Sequence, residues 1–108
     1  MATEIPAEAY LEDLSPHYNG NTIPRALRAF SEMEAEHWGR VVVSEGEVNL
    51  MLEGQSPERL QPGQDGIIPP GSRYNLDTPG EHGRFQILFY HEPMASDGKQ
   101  LAAQLRRE

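Results

Sequence analysis

Residues 41–52 read VVVSEGEVNLML, and their pattern decides the fold class. Val41, Val42 and Val43 are β-branched, and such side chains suit a pleated strand better than a helix. A Glu45-Gly46 turn signal follows. Beyond it Val48, Leu50 and Leu52 alternate with Glu47, Asn49 and Glu53, a period of two that sends one face inward and one into water. Met51 is the exception on the outer face. The expectation is a hairpin of two antiparallel strands.

The same alphabet of short strands and turns continues outward. Nine prolines and ten glycines cut the chain at short intervals, which favours strands joined by turns over long helices. After the polar stretch Gly54 to Gln61 come Pro62-Gly63, the apolar Ile67-Ile68, and Pro69-Pro70-Gly71, where Pro70 and Gly71 suit the central positions of a type II turn. Thr78-Pro79-Gly80 marks another turn. In the last strand, Phe85 to Tyr90, Phe85, Ile87 and Phe89 share one face while Gln86, Leu88 and Tyr90 share the other, and both faces can be buried. Residues 95–108 read as a short helix, with Leu101 and Leu105 four apart and Arg106 and Arg107 in the last turn.

The stretch Thr22 to Trp38 admits two readings. Pro24, Ala26, Leu27, Arg28 and Ala29 favour a helix, whereas Met33, Ala35 and His37 alternate with Glu32, Glu34 and Glu36 as an edge strand would.

Length and composition narrow the rest. At 108 residues there is room for one core, so the chain reads as a single domain, 1–108, with its core over about 22–91 and an N-terminal arm over 1–21. The absence of cysteine excludes disulfides, thiolate metal sites and thiol nucleophiles. A formal net charge of -8 repels phosphate backbones, which makes nucleic acid an unfavourable partner. No apolar run nears the roughly 20 residues that span a bilayer, and the opening residues carry no secretion signal, so no membrane partner is expected and the location expected is cytoplasmic. There is no glycine-rich phosphate loop ahead of a helix and no nucleophile elbow.

The spacing of Gly63, Pro69, Gly71 and Tyr74 resembles the second motif of the cupins, except that Tyr74 stands where that motif has histidine and Thr78 where it has asparagine. A wider resemblance, from about Thr22 to Tyr90, is to the small single-domain cupins associated with tellurite resistance. It is carried by Thr22-Ile23-Pro24 with Leu27, Trp38-Gly39-Arg40 leading to Glu45-Gly46, Pro62-Gly63 with Gly66-Ile67-Ile68, and Arg84-Phe85 with Phe89-Tyr90. The resemblance implies an all-β, double-stranded β-helix (jelly-roll) fold, an extended Arg25 to Phe30, and a homodimer. It also implies metal ligands at positions that here hold Ser31, Tyr74 and Leu88. Two imidazoles and a carboxylate make the facial triad that suits Fe(II) and similar ions, and this trio supplies none of the three.

The candidate ligand-binding residues of the barrel interior are therefore Ser31, His37, Arg40, Tyr74, Gln86 and Leu88. His37 would point inward with Met33 and Ala35 if that alternation is a strand, as a base, a replacement ligand, or simply a hydrogen-bonded histidine. Tyr74 offers a hydroxyl to a ligand or to a backbone partner. Arg40 presents a planar fork for a carboxylate or oxyanion, or for a neighbouring Glu. Gln86 would share the inward face of Leu88. His82 and His91 are expected to face solvent. The function expected is the binding of a small organic ligand without a cofactor, with an accessory role of the stress or tellurite-resistance type. The rivals are an oxygenase or isomerase with Fe, Ni, Mn or Zn held through His37 and Tyr74, and an interaction module.

Overall fold

Short strands are the main regular structure of the computed structural model, which describes residues 4–80 and 82–93. In chain order they are β1 (Tyr10–Leu14), β2 (Tyr18–Asn19), a single helical turn α1 (Arg25–Arg28), β3 (Ser31–Glu32), β4 (His37–Glu45), β5 (Val48–Leu52), β6 (Glu58–Leu60), β7 (Asp65–Ile68), β8 (Arg73–Asp77) and β9 (Arg84–His91). All pairings are antiparallel. The larger sheet has five strands in the order β1-β9-β4-β7, with β2 also on β9, and the smaller has four in the order β3-β8-β5-β6. This is the cupin jelly roll that the resemblance implied. The helix expected over 95–108 lies outside the described residues.

The alternation of residues 41–52 is real, but the hairpin is not. β4 pairs with β7 and β9, whereas β5 pairs with β6 and β8. The chain crosses from one sheet to the other at Gly46, whose φ is 64°, directly after a bulge between Val43 and Glu45. Bulges and bends are how strands change sheets at the corners of such sandwiches. Val41 and Val43 thus belong to one wall of the core and Val48 and Leu50 to the other, and all four are buried.

Both readings of residues 22–38 were partly right. The implied extended conformation of Arg25 to Phe30 is corrected by α1, where Pro24 supplies a helix-compatible φ of -59° at the start. The alternating strand is corrected too. β3 stops at Glu32, and the chain turns through Glu34–His37, with the His37 amide donating to the Glu34 carbonyl at 3.2 Å and Glu36 at φ 71°. The expected arm over 1–21 is also revised, because β1 and β2 lie along the edge of β9.

One core fills the space between the sheets. Val41, Val43, Ile68, Phe85 and Ile87 from the larger sheet meet Val48, Leu50, Leu60, Tyr74 and Leu76 from the smaller one, with Ile23 and Met33 closing the group. Burying one such side chain is worth about 1.5–3 kcal/mol, against about 0–1 kcal/mol for an exposed ion pair such as Arg73–Glu53. The core, more than the surface charges, holds the sheets together.

The turns expected at Pro62-Gly63 and Pro70-Gly71 form as written. The amides of Gln64 and Ser72 donate to the carbonyls of Gln61 and Pro69, at 2.8 and 3.2 Å. Gly63 and Gly71 have φ of 91° and 75°, the left-handed position that a type II turn demands. The second turn delivers β8, and with it Tyr74, into the core.

Candidate functional site

At one end the sandwich opens into a cavity of about 200 Å³. Its walls are Glu12 and Asp13 of β1, Glu32 of β3, Met33 and Glu34, His37 of β4, Tyr74 of β8 and Phe89 of β9. Glu12 and Asp13 are neighbours in a strand and would normally face opposite ways. A bulge between Leu11 and Asp13 opposite β9 adds a residue there and lets both line the cavity.

His37 is gripped from both sides of its ring. Nε2 lies 2.7 Å from Glu12 Oε1, and Nδ1 lies 3.2 Å from the Ala35 carbonyl. Both partners only accept, so both contacts are hydrogen bonds only when the ring carries two protons and is an imidazolium. Burial on its own would lower the affinity of the imidazole for its proton. The hydrogen bonds to Glu12 and Ala35, with the charges of Glu12 and Glu34, outweigh it and raise the His37 pKa above its ordinary value. The ring of His91 stands 5.1 Å away, with its Nδ1 2.9 Å from the Tyr10 hydroxyl and its Nε2 3.7 Å from Glu36.

Tyr74 forms the floor. It is 4% exposed, and its hydroxyl makes no hydrogen bond among the described residues. No enclosed side-chain oxygen or nitrogen there lacks a partner, so this hydroxyl must reach open space, which is the cavity it lines. Burial, and then the proximity of Tyr18, push its pKa up, so it is a neutral phenol that both donates and accepts.

Of the six residues expected to line the interior, the structure brings together His37 and Tyr74. Ser31 is opposite Tyr74 in the β3–β8 ladder, but its hydroxyl donates to the Ala26 carbonyl at 2.6 Å, fastening α1. Arg40 lies on the outer face of β4, 3.0 Å from Asp65 and over the Tyr90 ring, so its fork is taken by its own surface. Gln86 and Leu88 alternate with the buried Phe85 and Ile87 and so leave the core face; Gln86 donates to the Ser15 carbonyl instead. The expectation for His91 is also corrected: it ends β9 half-buried beside His37, while His82 is exposed as expected.

The positions implied as metal ligands do not fit a metal. One hydroxyl is spent on a backbone carbonyl, one leucine points away, and the remaining phenol holds its proton. Among the described residues no three histidine or carboxylate side chains are placed to share an ion. Reading the sequence placed Met33 inward beside His37 but missed Glu12, Asp13, Glu32, Glu34 and Phe89 as lining residues. Glu12 and Asp13 come from the stretch taken for an arm, and only the pairing of β1 with β9 brings them to the mouth.

No curated protein matches the chain. The profile of the TehB-like domain family matches residues 14–87. A solved Escherichia coli K12 protein, a structural genomics target, superposes with a TM-score of 0.78 at 18% identity, covering 86% of this chain and 100% of that one. TehB from Haemophilus influenzae gives a TM-score of 0.73 at 13% identity, over 81% of this chain and 32% of TehB, so the chain corresponds to about a third of that protein. At these identities the likeness concerns the fold.

Proposed function

Because the chain belongs to the TehB-like domain family, whose match covers more than half of it, we propose that it is a cupin-fold binding protein that takes a small organic ligand between His37 and Tyr74 without a metal ion. The observation that carries this is the Tyr74 hydroxyl, buried and without a hydrogen-bond partner among the described residues, on the wall of a cavity of about 200 Å³. A hydroxyl that faces a cavity and is not taken up by a described neighbour is available to donate to, and accept from, a ligand held there. The two-sided grip on His37 supports a holding role over proton transfer, since a ring already bonded at both nitrogens is poorly placed to act as a base.

An accessory role of the tellurite-resistance type, in the cytoplasm, is the setting we assign to it. We also assign a homodimer. Its support is the outer face of the larger sheet, where Trp38, Val42, Ile67, Leu88 and Tyr90 remain only half-buried and Leu14 is 52% exposed. Sedimentation that returns a monomer at high protein concentration would remove that assignment.

A thermal-shift screen of small metabolites tests the ligand reading. A binder stabilises the folded state in proportion to the logarithm of its concentration over Kd. The expected outcome is a compound class that raises Tm in the parent protein and not in Tyr74→Phe. The rival is decided by elemental analysis of protein purified without a metal-chelating step. Near-stoichiometric Fe, Ni, Mn or Zn that disappears in His37→Ala would replace a metal-free binder with a metal-dependent enzyme.

A further inference from the structure

The cavity has a chemical bias that narrows its ligand. Among the described residues four of its lining side chains are carboxylates, Glu12, Asp13, Glu32 and Glu34, and the one cationic group is His37. The floor adds the lone pairs of the Tyr74 hydroxyl, and the walls add the rings of Tyr74 and Phe89 and the thioether of Met33. Carboxylates beside aromatic rings and a phenol oxygen without a partner among the described residues are the surroundings that an organic cation seeks, by charge, by hydrogen bonding and by cation–π attraction. An oxyanion such as tellurite would meet repulsion there.

We infer that the cavity takes a small organic ammonium ligand in exchange for the proton on His37. This rests on the reading of the cavity as a ligand site. With the cavity empty of ligand, the imidazolium serves as the internal counter-ion of Glu12, at 2.7 Å. A second cation brought against Glu12 and Glu34 competes with it. Loss of one proton from His37 to solvent returns the net charge of the site to its value without the ligand. The ring is then neutral, with one nitrogen still donating. The titratable groups facing His37 are Glu12 on β1, Glu34 in the turn and His91 on β9, and His91 is in turn faced by Tyr10 and Glu36. Glu36 and His91 face each other at 3.7 Å, while Glu12 and Glu34 both face His37 and the cavity.

The test uses four probes of similar size: choline, n-butylammonium, n-pentanol and butanoate. Binding is read by calorimetry in buffers of different ionisation enthalpy and by amide chemical shifts at Glu34, His37 and Tyr74. The expected result is that the two cations bind and the alcohol and the acid bind at least tenfold more weakly. Proton release should accompany cation binding at about pH 6, where an imidazolium dominates, and vanish at about pH 9. The double variant Glu32→Gln with Glu34→Gln, both exposed and outside the core, is expected to fold normally and to bind the cations on the order of tenfold more weakly.

Each other outcome overturns something definite. If n-pentanol or butanoate binds as well as the cations at the same amides, the cationic class is wrong and the ligand site stands. Cation binding with no proton release at either pH overturns the exchange with His37. If no probe moves any of the three amides, this inference falls, and a Tyr74→Phe protein that also shows no change across the metabolite screen takes the ligand site with it.

Discussion

The pairing of His37 with Glu12 makes one residue report on solution pH. The two acceptors around the ring favour its protonated form, so the folded pKa lies above the ordinary value of 6.5. A group whose pKa is raised by folding contributes stability that is fully present below the unfolded value and is lost as pH rises through the folded one. Urea midpoints measured from about pH 5 to pH 9 should therefore include a fall above pH 6.5 that flattens in Glu12→Gln. In that variant the His37 resonances should titrate at lower pH, since the first raising partner has gone while burial remains. An unchanged titration would dissociate the two residues. His37 itself was legible in the sequence as a candidate of the barrel interior. Glu12, 25 positions earlier, was not. No local pattern connects them, because their meeting depends on where β1 docks.

At the scale of elements, alternation told the inner face of β5 and divided β9 into two faces without telling which of them is the core's, and the turn residues told where strands stop. Neither told which strands pair. Val41 to Leu52 has the period of a hairpin whether its halves bond to each other or separate at Gly46 into two sheets, because the face pattern is the same in both cases. The stretch around Glu34 to His37 misled for a related reason: Met33 and His37 do share the cavity, but through a turn that brings them to it. The pairing also ranks the strands. β4 is bonded on both sides, by β7 and β9, whereas β1 is an edge with every residue exposed, held by its ladder to β9 and by Glu12 and Tyr10. Edge elements with few buried contacts open at low free energy. Native-state hydrogen exchange should find the amides of Leu11 and Asp13 exchanging at least a hundredfold faster than those of Val41 and Val43. Equal protection would mean that something further covers β1.

For the molecule as a whole, the two sheets share one core, so they are expected to melt as one unit. Phe85 is fully buried in it from the larger sheet, with the half-buried Tyr18 ring 5.7 Å from its own. Phe85→Ala should cost about 3–5 kcal/mol, and it should lower the near-ultraviolet and far-ultraviolet dichroism transitions together. A transition that separates into two would show sheets of independent stability. The charge of -8 and the lack of cysteine, both plain in the sequence, bound this whole without locating anything in it. The larger sheet places Tyr10 opposite His91, the beginning of β1 beside the end of β9. During synthesis, therefore, β1 and β2 leave the ribosome long before β9, their one partner among the described residues, exists, and β4 waits with one edge open for the same strand. The sheet can close only after residue 91 has emerged, which makes its assembly a late step in the folding of these strands and its folding slow compared with a helical chain of equal length.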